Sequence, residues 1–212
     1  MRITRVDAAR LGSLADDLAD LLVDTVGDGA SVGFLAPLER AEALAWWGEW
    51  AAGVAEGRRA VWVATETGAE GEPEGERDGD AGADRVLGRE TDDQVAREVA
   101  RAAGRVVGTV SLAFPGKPNS RHRAELVKLM VHRDARGRGL GRRLLTTAEE
   151  AAAASGVTLL HLDTETDSGA ERLYGSAGWT RIGAIPDYAA DPQGVPRPTS
   201  IYYKRLGPHA HP

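Results

Sequence analysis

The segment that most constrains the fold is an apolar stretch that runs into a loop of glycines and arginines, followed by a helix-like stretch. The apolar part covers Leu126 to Val131, the loop follows, and leucines at helical spacing come next. Glycines let a backbone approach a ligand closely and adopt conformations that a Cβ forbids. Free N–H groups at a helix start, together with the helix dipole, bind anions. The segment therefore predicts a strand–loop–helix unit that holds a phosphate or pyrophosphate.

Spacing excludes two common phosphate loops. A Walker A loop starting at Gly137 would need its second glycine where Arg142 stands. The dinucleotide fingerprint also fails, because Gly137, Gly139 and Gly141 are each two residues apart. The pattern that remains is Arg136-x-x-Gly139-x-Gly141. Two other readings stay open: an arginine-rich turn that caps a helix, and a nucleic-acid patch, although few aromatic residues interleave with the arginines for base stacking.

Composition limits the remaining classes of protein. A chain of 212 residues suits a single domain with a sizeable core. The chain has no cysteine, which excludes disulfides, thiolate metal sites and a cysteine nucleophile. No apolar run has the length of a signal peptide or of a membrane span. We therefore expect a cytoplasmic protein with no membrane partner.

The acidic net charge comes from one segment. Residues 68–84 carry seven acids and one arginine, which accounts for the whole net charge of −6. This glycine-rich segment has too few apolar side chains to fold. We predict a largely disordered insertion over 68–103, with a short helix at 91–103, and a frayed tail at 207–212. The charge of the insertion says nothing about the substrate.

Hydrophobic periodicity predicts alternating strands and helices elsewhere. A strand–helix–strand run around 124–163 predicts a parallel pair in an otherwise antiparallel sheet. The fold class is therefore α/β (α+β), with a mixed sheet of about seven strands and about four helices. The strands are predicted at residues 2–6, 60–66, 104–114, 124–131, 157–163, 180–185 and 199–206, and the helices at 13–26, 37–56, 140–154 and 170–176.

The glycine loop and the element order resemble the GNAT family of acetyl-CoA-dependent N-acetyltransferases. Five shorter stretches are similar to its tabtoxin-resistance acetyltransferase subgroup: Ala30–Phe34, Lys128–Val131, Leu162–Glu165, Ala170–Tyr174 and Thr199–Lys204. The resemblance implies a GNAT fold over 1–212 with the acidic insertion in the hairpin between the second and third strands, and acetyl-CoA as cosubstrate without a metal. The residues it implies for coenzyme A binding are Leu129, Met130, Val131, Arg136, Gly137, Arg138, Gly139, Leu140, Gly141 and Arg142.

Amine acetylation needs a base for the acceptor amine, and the sequence offers two carboxylates. Strand alternation predicts Glu125 on one face with Val127, Leu129 and Val131. Asp163 ends the next predicted strand, so the two acids would face the acceptor together if those strands are neighbours. The resemblance supports this pair as catalytic and substrate-binding residues. A solvated strand-end acid and a turn acid remain open for them, and Glu165 competes with Asp163.

Two aromatic residues complete the predicted site. In the resembled family a tyrosine at the position of Tyr174 lies near the coenzyme A sulfur, so we predict Tyr174 as general acid; a packed aromatic is the alternative. Phe34 lies in a loop that often touches the acceptor in this fold, and it equally suits a loop anchor. His132 and His161 are interpreted as a surface residue and a satisfied core residue.

We predict direct acetyl transfer to an amine, and the resemblance to the subgroup implies a small-molecule acceptor of the antibiotic or toxin kind. The second possible enzymatic function is acetylation of a protein, at its N-terminus or at a lysine. A non-catalytic coenzyme A sensor or interaction module is the third interpretation. We expect no nucleic-acid partner, and either a monomer or a homodimer.

Overall fold

The computed structural model describes residues 1–66 and 104–207, so the predicted insertion and most of the predicted tail lie outside the described residues. The strands are β1 (Arg2–Val6), β2 (Arg59–Glu66), β3 (Arg105–Ala113), β4 (Arg123–Val131), β5 (Leu159–Glu165), β6 (Thr180–Ala190) and β7 (Pro196–Arg205). The helices in these ranges are α1 (Ala8–Ser13), α2 (Ala15–Gly27), α3 (Arg40–Ala55), α4 (Leu140–Ala154) and α5 (Gly169–Ser176).

The seven strands form one mixed sheet in the order β1-β2-β3-β4-β5-β7-β6. β4 and β5 pair in parallel, and the other neighbouring strands pair antiparallel. A parallel pair needs a long crossover, and α4 supplies it between β4 and β5. The predicted fold class and the predicted position of the parallel pair are both confirmed.

The predicted helix at 13–26 corresponds to α2, and an additional short helix, α1, precedes it. In α1 the Asp7 carboxylate accepts a hydrogen bond of 2.7 Å from the Arg10 N–H, so Asp7 is the N-terminal cap of this helix. Ser13 ends α1, and its hydroxyl donates to the Arg10 carbonyl.

The sheet separates two hydrophobic cores. α1, α2 and α3 cover one face with leucines and tryptophans, and α4 and α5 cover the other. The stripe of α4 predicted from sequence is buried as expected: Leu140, Leu144, Leu145 and Ala148. We refer to the two sides as the α1–α3 face and the α4–α5 face.

A β-bulge in β4 reverses the side-chain alternation at Lys128. Thr109 pairs with Met130 and Ser111 pairs with Val127, so β4 has one residue more than β3 between these pairs. Lys128 takes up the extra length with a φ of 54°. Val127 and Met130 consequently pack on the α1–α3 face.

The predicted alternation along β4 is therefore correct only up to the bulge. Glu125 shares its face with Val127, but Leu129 and Val131 pack on the α4–α5 face. The sequence analysis placed all four on one face because a regular strand repeats every two residues. The extra residue at the bulge shifts that repeat by one.

Candidate active site

The two central strands separate where the predicted carboxylate lies. β4 and β5 pair only from Arg123 to Glu125, opposite Leu159 to His161. Beyond that point β5 pairs with β7 along its length, and within the described residues no further β4–β5 pairing occurs. The edge of β4 that includes Leu129, Met130 and Val131 therefore faces an opening, with Glu125 at its narrow end.

The glycine loop after β4 adopts the conformation that its sequence predicts. Gly137 and Gly139 have φ values of 74° and 73°, in the left-handed region. A Cβ at either position would meet nothing within 4 Å, so backbone conformation is what requires glycine there. Gly141 differs, because its Cβ would lie 3.4 Å from Leu173 of α5. A small residue at this position lets α4 and α5 pack closely.

The loop arginines hold the loop in place through acids and carbonyls of this chain. Arg136 donates to Asp28 and to the carbonyl of Val131, and its hydrogen bond lowers the pKa of Asp28. Arg138 pairs with Glu66 at 2.8 Å and donates to the Asp134 carbonyl. These contacts fix the backbone whose N–H groups open α4. Preorganised donors of this kind suit a pyrophosphate.

The two predicted catalytic carboxylates lie on the α1–α3 face. Glu125 of β4 is in register with His161 of β5, and Asp163 follows His161 by two residues on the same side of β5. Both carboxylates favour the charged form of His161, whereas burial lowers the pKa of that imidazole. The structure therefore brings Glu125 and Asp163 together around one neighbour, as the sequence analysis expected.

His161 is half-buried and has a hydrogen-bond partner, as its interpretation as a satisfied residue predicts. Arg123 donates to its Nε2 at 3.0 Å. Because that hydrogen bond occupies a ring nitrogen of the neutral form, it orients His161 beside Glu125. The residue therefore also lies next to the two predicted carboxylates, a neighbourhood that the apolar residues around it in sequence did not indicate.

Lys128 is the functional candidate that sequence reasoning missed. Its ammonium donates to the carbonyl of Val32 and lies 5.3 Å and 5.1 Å from the ring centroids of Phe34 and Trp46. Burial lowers the pKa of Lys128, while Asp163 and Glu125 act in the opposite direction. The signal in the sequence was a single lysine within the otherwise apolar stretch Leu126–Val131.

Tyr174 lies on the opposite side of the sheet from the carboxylates. It is buried on the α4–α5 face, with ring centroids 5.8 Å from Trp179 and 6.3 Å from Tyr202. Burial and the nearby charge of Asp163 raise the pKa of Tyr174. The hydroxyl therefore stays protonated, as a proton donor requires, although its ring is also a packed aromatic.

The loop between α2 and α3 and the tip of the β6–β7 hairpin form the wall above the acids. The Ala36 N–H donates to the Pro192 carbonyl at 2.7 Å. Next to Pro192, the buried Asp191 carboxylate accepts from the Val195 and Gln193 N–H groups and from Arg197. Phe34 of the same loop packs edge-on against Trp46 of α3. The hairpin tip thus holds the loop that carries Phe34.

A family model for the acetyltransferase (GNAT) family matches residues 54–179, more than half of the chain. The chain belongs to the GNAT family. It is therefore an N-acetyltransferase that uses acetyl-CoA, and the predicted enzyme class and cosubstrate are confirmed. The matched range runs from the end of α3 through α5 and includes the splayed strands and the glycine loop.

Solved structures share this GNAT fold at low sequence identity. Ribosomal-protein-alanine N-acetyltransferase from Brucella melitensis is 21% identical with a TM-score of 0.65, covering 97% of this chain and 100% of its own. A structure from Salmonella typhimurium that contains acetyl-CoA is 20% identical with a TM-score of 0.63, covering 100% and 97%. A GCN5-related N-acetyltransferase from Kribbella flavida is 19% identical with a TM-score of 0.63, covering 97% of each chain. At such identities the likeness concerns the fold.

The geometry of this GNAT acetyltransferase fits its cosubstrate. The unobstructed left-handed glycines and the N–H groups at the start of α4 suit the pyrophosphate of acetyl-CoA. The exposed edge of β4 between Glu125 and the loop suits the extended arm that carries the thioester. In the part of the chain that the structure describes, no cluster of His, Cys, Asp or Glu is arranged to hold a metal ion.

The helices that the structure describes lie within residues 1–66 and 104–207. None of them combines the length and the apolar character needed to cross a lipid bilayer.

Proposed function

We propose that this enzyme transfers the acetyl group directly to the amine of a small molecule. The observation that carries the proposal is the acceptor side of the opening. There, Glu125 and Asp163 lie beneath a wall of aromatic side chains from the α2–α3 loop and α3. A pocket with apolar walls and a few convergent charged groups is typical of small-molecule sites.

The two carboxylates act on the acceptor amine. An ammonium ion has no lone pair, so one carboxylate must accept its proton directly or through a water. We assign this step to Glu125, at the narrow end of the opening, with Asp163 attracting the cationic amine and sharing the proton. His161, held neutral by burial and oriented by Arg123, lies beside both.

The remaining groups act on the donor side. Acetyl-CoA, when bound, supplies a thioester whose carbonyl carbon is attacked by the nitrogen of the amine. The N–H groups of the unpaired β4 edge are placed to polarise a carbonyl oxygen, as donors in an oxyanion hole do. Tyr174, protonated and on the opposite face from the base, is assigned the proton that goes to the sulfur. Base and acid thus lie on the two sides of the sheet opening.

A specific contact supports the tabtoxin-resistance subgroup. Two of the five stretches on which that resemblance is based, Ala30–Phe34 and Lys128–Val131, meet in the structure, where Lys128 donates to Val32. Residues far apart in sequence that meet at the acceptor pocket are more informative than isolated matches. Toxin or antibiotic amines are therefore the first acceptors to test. A structure named for phosphinothricin acetylation also shares the fold, with a TM-score of 0.63 at 17% identity.

Protein acetylation is the competing function, because structures with this fold include enzymes named for ribosomal-protein alanine. The test combines two acceptor sets. The protein is incubated with acetyl-CoA and either a panel of amine-bearing antibiotics and toxins or a cell lysate. We expect thiol release with members of the panel and no acetyl mass increment on lysate proteins. The reverse result would replace this proposal with protein acetylation.

A further inference from the structure

Each tryptophan of a stacked pair on the acceptor side has a cation next to its ring. Trp46 and Trp50 stack with centroids 4.3 Å apart and an interplanar angle of 27°. The Lys128 ammonium lies 5.1 Å from the Trp46 ring, and the Arg59 guanidinium lies 3.5 Å from the Trp50 ring. We call these four residues the cation row. Cations over indole faces are held by the ring quadrupole without being neutralised.

The cation row lies on the same face as the proposed bases. Arg59, Ala113 and Glu125 occupy one row across β2, β3 and β4, so Arg59 and Glu125 point to the same side. The charge of Arg59 acts on Lys128, as do the charges of Asp163 and Glu125. Both cations are therefore near the place where the acceptor amine would meet its base.

Lys128 is a half-buried cation with unused hydrogen-bond donors. Its ammonium has a carbonyl and two aromatic rings as partners, and among the described residues no carboxylate forms an ion pair with it. Glu125 and Asp163 favour its charged form from a greater distance. An ammonium has three donors and the Val32 carbonyl uses one, so Lys128 can still donate to an oxyanion of a bound substrate.

Two polar groups close to the cation row are also unsatisfied. Among the described residues, Ser111 Oγ and Trp50 Nε1 are the buried side-chain polar atoms without a hydrogen-bond partner. Ser111 is in register with Val61 and Val127, which pack on the α1–α3 face, so its hydroxyl points toward that face. Buried donors without partners are uncommon in native proteins and indicate a missing partner.

We infer that the cation row binds an acidic group of the acceptor, so that the substrate is a zwitterion with an amine and a carboxylate or similar oxyacid a few bonds apart. The amine is directed to Glu125 and Asp163, and the acid to Lys128, while Arg59 adds to the positive charge on that face. The stacked indoles of Trp46 and Trp50 form an apolar wall beside Lys128. This inference rests on the proposed small-molecule function and specifies its substrate class.

The test compares acceptors that differ only in this charge. Free L-amino acids are paired with their own carboxamides, and coenzyme A thiol release is followed at saturating acetyl-CoA. We expect kcat/KM for the acids to exceed that for the amides by about 10- to 100-fold, the range for a hydrogen bond to a charged group. Amides that react as well as the acids would overturn the inference and still support the proposed function.

Substitutions at Lys128 test whether this residue causes the preference for acids over amides. Lys128→Met should abolish the preference for acids and leave the KM for acetyl-CoA unchanged. Lys128→Arg should retain most of the preference, which shows that charge rather than packing is responsible. Lys117→Met, at an exposed position in the β3–β4 connection, is the matched control and should behave as the wild type. A preference that persists in Lys128→Met would contradict the role of Lys128.

A binding measurement separates this inference from the proposed function. Titration of the coenzyme A complex with the same amino acids should change the fluorescence of Trp46 and Trp50. We expect saturable changes with acids and not with amides in the wild type, and none in Lys128→Met. If no amine of any kind releases thiol, the proposed function fails. The titration then still decides whether an anion binds at the cation row.

Discussion

At the scale of single residues, the catalytic assignment depends on two carboxylates that surround the same neighbours. Glu125 and Asp163 both influence the charge of Lys128 and of His161. The structure therefore supports the pair that sequence and resemblance proposed, while Glu165 lies two residues further along β5, at its end. Three substitutions with one control can rank these acids.

We predict that Glu125→Gln lowers kcat by about 10²- to 10⁴-fold, the contribution expected of a general base. Asp163→Asn should produce a smaller loss, and Glu165→Gln a loss below about threefold. The reason is that only a group facing the amine can accept its proton. Steady-state kinetics and coenzyme A titration measure the outcome. The control is Glu150→Gln, at an exposed position of α4. Wild-type turnover in Glu125→Gln would show that the base is misassigned.

We predict that Tyr174→Phe lowers kcat by about 10²- to 10⁴-fold at constant affinity for acetyl-CoA, the contribution expected of a general acid. Burial and Asp163 raise the pKa of this hydroxyl. An acid whose pKa is raised remains protonated as pH increases, so the kcat–pH profile should not fall on the alkaline side before about pH 10, the ordinary tyrosine value. A fall in kcat near pH 8 that depends on Tyr174 would contradict the assignment. An unchanged kcat in Tyr174→Phe would show that Tyr174 serves only as a packed aromatic residue.

At the scale of elements, the strand–loop–helix unit is the part of the site that the sequence predicted best. α4 begins and ends at the residues expected from its leucine stripe and glycine loop. The loop glycines have the positive φ values that anion-binding backbone requires. Local patterns control these features, which is why they could be recognised without tertiary information.

Gly139 gives a direct test of this unit. We predict that Gly139→Ala weakens acetyl-CoA binding about tenfold and lowers stability by about 1–2 kcal/mol, because a Cβ is strained at a φ of 73°. Isothermal titration and thermal unfolding measure the two effects. Gly116→Ala is the control, since Gly116 has open space around it and no positive φ. Equal coenzyme affinity in both variants would show that the loop conformation tolerates a side chain.

The features that escaped sequence reasoning depend on contacts between elements. The bulge at Lys128 can be recognised only when β3 and β4 are aligned, because a bulge is an extra residue in one strand compared with its partner strand. His161 and Arg123 are 38 residues apart, and Lys128 reaches a loop 96 residues earlier in the chain. The charge of Lys128 in an otherwise apolar stretch of sequence was unusual, but the partners of this residue could be identified only from the folded structure.

At the scale of the whole molecule, the proposed acceptor pocket depends on distant segments held together at one point. The α2–α3 loop, which carries Val32 and Phe34, is joined to the β6–β7 tip by the Ala36–Pro192 hydrogen bond. The buried Asp191 organises that tip. The acceptor wall is thus a tertiary assembly, unlike the donor loop.

We predict that Asp191→Asn raises KM for the acceptor several-fold, lowers the Tm, and leaves acetyl-CoA affinity unchanged. Backbone hydrogen bonds and Arg197 lower the pKa of Asp191. A carboxyl with a lowered pKa stabilises the fold above its unfolded value, near 4, and this stability is lost as pH falls through the folded value. The wild type should therefore lose Tm on acidification more steeply than the variant. Asp187→Asn, exposed in the same hairpin, is the control, and matching acid sensitivity in wild type and Asp191→Asn would contradict this role.

The bulge in β4 also has a consequence for how this enzyme can change over evolution. Glu125, before the bulge, and Lys128, within it, are assigned to the acceptor, whereas the unpaired edge from Leu129 to Val131 is assigned to the donor. Substitutions that retune acceptor choice at the first end of the strand need not disturb coenzyme recognition at the other. The extra residue separates the two assignments along one strand, so we expect that new acceptors can be acquired while the donor half stays the same.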